Sequence, residues 1–151
     1  MSRLFLDTNA LIDLCVARIP SIHEAMERIV SSCREGEDEL LVCTHSLADA
    51  TYVVENSRLF KDAIPDREKR RHVASFLREI AFHFCTVCSV DERIARAAHR
   101  NISEPDFDDA LIAECAARSE ADYIISSDRN AFRSSRVPGV TPGEYLGLAA
   151  L

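Results

Sequence analysis

The stretch Arg3-Leu4-Phe5-Leu6-Asp7-Thr8-Asn9 decides the fold. A short apolar run stops abruptly on a carboxylate and two small polar residues. That pattern reads as a buried strand delivering Asp7 to its carboxyl end. In open α/β sheets, ligands bind at that edge. The same grammar returns late in the chain, where Tyr123-Ile124-Ile125 runs into Ser126-Ser127-Asp128. Two aspartates are thus placed alike on two strands. Clustered carboxylates repel one another unless a cation neutralises them, so a hard divalent ion suits this arrangement.

Between these two strands, segments of strand and helix character alternate. Residues 10–17 read as helical, and Pro20 opens a second helix to about Arg34, with Ile22, Met26, Ile29 and Val30 on one face. Leu40–Cys43 is a second strand, and Thr44-His45-Ser46 starts a helix reaching about Leu59. Leu59–Pro65 reads as a connection. Asp66–Ile80 is a basic amphipathic helix, and Phe84–Cys88 is a third strand. Helices over 90–101 and 105–119 precede the strand at 123–126. Val137–Val140 reads as a short fifth strand, and Thr141-Pro142 starts a last helix. Strands alternating with helices predict an α/β/α sandwich around a mainly parallel sheet of four to five strands. The length, 151 residues, predicts a single domain.

Composition narrows the function classes. No apolar run approaches a membrane span, and the N-terminus lacks the basic flank and apolar stretch of a signal peptide, so a cytoplasmic protein is expected. The six cysteines lie mostly in apolar runs and read as buried free thiols. Cys85 and Cys88 have zinc or redox spacing, but no second pair completes a site. The net charge of −7 argues against nonspecific nucleic-acid coating by the whole surface. A nuclease that concentrates its acid in a metal site remains compatible with it.

Four acids converge on one edge of the expected sheet. Asp7 and Asp128 follow strands, Asp49 sits early in the helix after the second strand, and Asp109 starts the helix before the fourth. Four carboxylates there could hold one or two Mg²⁺ or Mn²⁺ ions, which activate water and stabilise a phosphodiester under attack. Each acid also has a local explanation. Asp49 could complete a capping box with Ser46, Asp109 could do so with Asp106, and Asp128 could open a turn with Arg129 and Asn130. Asp7 has no obvious packing role. The chain offers no Walker A, GxSxG or GxGxxG, and its five histidines show no metal-ligand spacing.

Three ordered stretches carry a resemblance. They are Phe5-Leu-Asp-Thr-Asn-Ala-Leu-Ile-Asp-Leu14, Asp106-Phe-Asp-Asp-Ala-Leu-Ile-Ala113 and Asp122-Tyr-Ile-Ile-Ser-Ser-Asp-Arg-Asn-Ala-Phe132, with the closing Val137–Leu146 also matching. The chain resembles PIN-domain proteins of the kind that includes VapC-type ribonuclease toxins. The resemblance implies that Asp7, Asp109 and Asp128 are metal-site acids. It implies a fourth acid, usually a glutamate, where Asp49 stands here. Spacing alone leaves Asp106, Asp108 and Asp109 open; the following Ala110-Leu111 selects Asp109 by likeness, with Asp106 as helix cap and secondary ligand. Thr8 and Asn9 are expected to orient Asp7 and its water, and Ser126 replaces a frequent threonine.

The resulting expectation is a Mg²⁺- or Mn²⁺-dependent endoribonuclease. The resemblance suggests an RNA substrate, an antitoxin protein partner and a homodimer. Local arginines must then neutralise the RNA backbone: Arg67, Arg70, Arg71 and Arg78 on the basic helix, and Arg133 and Arg136 beyond Asp128. The rival expectation is a non-catalytic RNA- or protein-binding module with a degraded metal site, supported by aspartate at position 49. A receiver-like or phosphatase domain needs a lysine near a late strand, and the only lysines are Lys61 and Lys69.

Overall fold

Leu4 and Leu6 project to one face of their strand and Phe5 to the other, and each face meets its own apolar cluster. That alternation sets the layering. The computed structural model describes residues 1–151. Its elements in order are β1 (Ser2–Leu6), α1 (Thr8–Cys15), α2 (Pro20–Arg34), β2 (Asp38–Cys43), α3 (Thr44–Asn56), α4 (Arg58–Ala63), α5 (Arg67–Phe84), β3 (Cys85–Cys88), α6 (Glu92–His99), α7 (Phe107–Arg118), β4 (Tyr123–Ile125), β5 (Gly139–Val140) and α8 (Pro142–Ala149).

The five strands form one sheet in the order β3-β2-β1-β4-β5, and every neighbouring pair is parallel. The expected α/β/α architecture is therefore present. Phe5, Leu41 and Ile124 face α6 and α7. Leu4, Leu6, Leu40 and Ile125 face α1, α2 and α8. Leu11, Ile12 and Val42 pack with α3, α4 and α5. The chain leaves β1 toward β2 on one side and returns to β4 on the other. The strand order thus reverses beside β1, and the crevice at such a switch point is where open α/β sheets bind ligands.

Several boundaries differ from expectation for identifiable reasons. α1 starts at Thr8 because the Asp7 side chain caps it. The expected connection over Leu59–Pro65 contains the helix α4, capped by Ser57, whose hydroxyl accepts from the Phe60 amide at 3.4 Å. Its six residues are too few to show a period, and buried Phe60 fixes it. α5 runs one turn further than expected, to Phe84, because buried Ala81 continues the apolar face. Cys85 and Cys88 pack on opposite faces of the sheet, three residues apart on a strand of period two, so they cannot share an ion. All six cysteines are free.

β5 is only two residues long, because Pro138 has no amide to give a ladder. Its glycine is required by contact. A Cβ on Gly139 would overlap the Ala131 carbonyl oxygen and stand 2.8 Å from Phe132 Cβ. Gly139→Ala is therefore expected to cost about 2–3 kcal/mol through overpacking, read as a lower denaturation midpoint at unchanged m-value.

Candidate functional site

Asp7 ends β1, and its carboxylate accepts from the Ala10 amide at 2.7 Å, capping α1. Its own amide donates to the Ile125 carbonyl at 3.1 Å, which fixes it beside the end of β4. Only 6% of the residue is exposed. Burial, opposed by the Ser126 hydroxyl and the Ala10 amide, and supplemented by the charges of Asp109 and Asp13, pushes its pKa up to about 6. A carboxylic acid with a folded pKa above its unfolded value is stabilising below the unfolded pKa. That contribution is lost as pH rises between about 4 and about 6.

Asp109 stands in the first turn of α7, which Asp106 caps by accepting the Asp109 amide at 3.2 Å. Partial burial and then the charges of Asp106, Glu104, Asp108 and Asp128 push its pKa up to about 6 as well. Neighbouring Asp108 is exposed, and its Oδ1 lies 2.9 Å from His45 Nε2 at the start of α3. That nitrogen makes no well-directed hydrogen bond.

Asp128 sits in the turn after β4 and accepts from the Asn130 amide at 2.9 Å, so the local turn also forms. Its amide donates to the Ser126 hydroxyl at 3.1 Å. Ser126 is buried, and its hydroxyl also favours the ionised form of Asp7. Asp13 joins the site without having stood out in the sequence. It is 3% exposed, pairs with Arg18 at 2.9 Å and accepts from the Ser127 hydroxyl at 2.8 Å. It therefore pins the turn of Asp128 to α1. An acid inside the apolar run Leu11-Ile12-Asp13-Leu14 is the signal that could have found it, because buried carboxylates are rare unless paired.

Three acids, Asp7, Asp109 and Asp128, thus share the carboxyl edge of the sheet at its switch point. A profile of the PIN domain family matches residues 3–130. The chain belongs to the PIN-domain family. No curated relative matches it. Among solved structures it is similar to FitAcB from Neisseria gonorrhoeae, with a TM-score of 0.67 at 15% identity over 93% of this chain and 98% of that one. It is similar to VapBC2 from Rickettsia felis bound to a DNA fragment from their promoter, with 0.64 at 13% over 92% and 98%. It is also similar to Mycobacterium tuberculosis VapC20, described as a Sarcin-Ricin loop cleaving toxin, with 0.63 at 14% over 87% and 94%. At these identities the likeness is one of fold.

In this PIN domain Asp49 is carried by α3. The Ser46–Asp49 capping box does not form, since Ser46 bonds to Cys43 Sγ at 3.2 Å instead. α3 begins at Thr44, so Asp49 lies in its second turn, half-buried and without an ion pair. Thr8 and Asn9 do not hydrogen-bond to Asp7; the Ala10 amide orients it instead. Asn9 is exposed, whereas Thr8 Oγ1 is buried with no hydrogen-bond partner.

No three acidic, histidine or cysteine side chains are drawn into a ready-made cage. The donor set at the edge nevertheless fits a hard cation. It is all oxygen, its buried member is costly to ionise alone, and an orphaned hydroxyl adjoins it. Asp109 and Asp128 are half-buried and exposed respectively, which leaves their side chains free to turn.

The arginines divide. Arg70 is 6% exposed and donates to the carbonyls of Glu55 at 3.0 Å, Ile64 at 2.8 Å and Pro65 at 2.8 Å. These groups close the C-terminal ends of α3 and α4, so Arg70 is structural and does not face RNA. Arg78 donates to Thr51 at 2.7 Å. Arg133 is paired with Glu144 at 2.9 Å and Arg136 with Glu114 at 2.9 Å. Arg67 and Arg71 are exposed. No helix is long and apolar enough to cross a membrane.

Proposed function

We propose that this PIN domain is a metal-dependent endoribonuclease. The observation that carries it is the convergence of Asp7, Asp109 and Asp128 on the switch-point edge, where burial, supplemented by neighbouring carboxylates, pushes Asp7 and Asp109 up to a pKa of about 6. Structural ion pairs would lower carboxylate pKa values; Asp7 and Asp109 are raised, as catalytic and metal-binding acids often are. Membership of the PIN family supports the same reading.

Asp7, Asp109 and Asp128 would hold Mg²⁺ or Mn²⁺, with Asp49 contributing through water because it is one methylene shorter than glutamate. When bound, such a cation supplies a more acidic water and stabilises charge on the phosphodiester. The protein's own residues do the rest. Ala10 keeps Asp7 aimed at the edge, and Asp13, through Ser127, fixes the turn that carries Asp128. The likeness to FitAcB and VapBC2 supports an antitoxin protein as partner, and a homodimer is the assembly proposed with it.

The test is cleavage of single-stranded RNA by the purified protein. Cleavage is expected with Mg²⁺ or Mn²⁺ and none is expected in excess chelator. Cutting that persists in chelator, or no cutting under any metal, would sink the proposal. RNA binding without cutting would instead support the rival, a binding module with a degraded site.

A further inference from the structure

One cleft of the molecule is lined by none of the acids Asp7, Asp109 and Asp128. It has a volume of about 540 Å³ and is lined by Ala97, Arg100, Glu114, Ala117, Arg118 and Arg136. Three guanidiniums and one carboxylate leave it with an excess of two positive charges, in a chain whose net charge is −7. Arg100 closes the C-terminal end of α6 and Arg118 lies in the last turn of α7, positions that suit a cation on any helix. The helix dipoles do not explain why both share a cleft with Arg136. Arg100 and Arg118 make no ion pair, and Arg136, though held by Glu114, keeps 73% of its side chain exposed.

Glu114 gives the cleft a fixed base. It is 8% exposed, and it accepts from Arg136 at 2.9 Å and from Asn101 at 3.4 Å. The carboxylate thereby orients one guanidinium and leaves the remaining N–H groups pointing elsewhere. The cleft also continues toward the carboxylates. An adjoining hollow shares Arg100, Glu114 and Arg136 and adds Ser135. The Ser135 hydroxyl donates to Glu104 at 2.7 Å, and the charge of Glu104 reaches Asp109. Along α7, Asp109 and Arg118 are separated by about 14 Å of helix rise.

We infer that this cleft binds a non-scissile phosphate of the RNA strand, a few nucleotides along from the phosphodiester that lies at the carboxylates. Forked guanidiniums match phosphate oxygens in bidentate fashion. An acidic protein that binds RNA needs such a local positive field, because its overall charge repels the strand. The inference rests on the ribonuclease reading, and the experiment separates the two.

The probe is a fluorescein-labelled single-stranded RNA, with binding followed by anisotropy in excess chelator over a salt series. The parent is compared with the double variant R100Q/R118Q. Both side chains are free of ion pairs, so circular dichroism and melting should match the parent. The slope of log K against log salt is expected to shrink by about 0.7 for each phosphate that the variant no longer neutralises, and affinity at 0.1 M salt to fall roughly tenfold or more. Parallel cleavage assays with Mn²⁺ report on the nuclease reading. Parental cleavage together with an unchanged slope in R100Q/R118Q would overturn the inference and leave the nuclease standing. Arginine-dependent binding without any cleavage would keep the cleft and remove the nuclease. An oligoglutamate peptide that loses affinity for the double variant, while RNA does not, would assign the cleft to an acidic polypeptide and overturn the inference.

Discussion

Asp7→Asn is expected to abolish metal-dependent RNA cleavage while leaving the fold intact. Asparagine caps a helix as well as aspartate, so it can accept the Ala10 amide and keep α1 in place. It carries no charge for a cation. Losing about 3 kcal/mol of transition-state stabilisation corresponds to a more than hundredfold fall in rate. The same change should help the metal-free protein. Ionising Asp7 in its buried position costs the fold up to about 3 kcal/mol once pH exceeds the folded value of about 6. Metal-free parent should therefore lose stability as pH rises from about 4 to about 6, and Asp7→Asn should flatten that decline. A residual slope from Asp109 should remain. Urea denaturation on either side of that window, beside the cleavage assay, checks both parts. A variant that still cuts RNA at parental rate would remove Asp7 from the site. One that is much less stable than the parent above the window would show that its carboxylate holds the fold rather than a cation. Asp108→Asn, one position from Asp109 but exposed, should stay near parental rates, and Asp49→Glu should preserve or raise them.

Arg70→Ala should produce the largest loss of stability, about 4 kcal/mol, with no direct effect on RNA contacts. Three charge-assisted hydrogen bonds to carbonyls vanish together, each of a kind worth about 1.5–3 kcal/mol before compensation by water. The carbonyls released belong to the ends of α3 and α4, so those helices should fray first. Hydrogen exchange should report faster opening across Glu55–Pro65, and chemical denaturation should report the global loss. Arg70→Lys keeps the charge but not the fork, and should recover only part of it. Arg71→Ala is the control, being exposed on the next position of the same helix. Near-parental stability of Arg70→Ala would show that the three carbonyls are satisfied by water.

The contrast between Arg70 and Asp7 shows what local sequence carries. A strand that ends on Asp-Thr-Asn and another that ends on Ser-Ser-Asp are self-announcing, because burial on both faces forces an unbroken apolar run and the first charged residue must mark its end. From those two runs and the alternating segments between them, the parallel α/β/α sheet and the shared edge of Asp7, Asp109 and Asp128 follow. The caps at Asp106 and Asp128 were legible for the same reason, since each partner lies within three residues. The short helix α4 was not, because its six residues are held by the burial of Phe60 rather than by a repeating pattern.

Several decisive partners of the charged side chains lay far beyond local sequence. Arg70, Arg71 and Arg67 are neighbours on one helix, yet Arg70 alone turns inward, because the ends of α3 and α4 bring their unpaired carbonyls to that point. Asp13 meets Ser127 across 114 residues, and Glu114 meets Arg136 across 22. The sequence by itself determined the strands, their order of use and the acids at their ends, since those depend on hydrophobic period and on groups a turn apart. Tertiary structure alone decided which arginines stay free, and that Arg100, Arg118 and Arg136 share one cleft. Electrostatic contacts act through space, and the chain's order does not encode which distant side chains the packing of helices on the sheet will bring together.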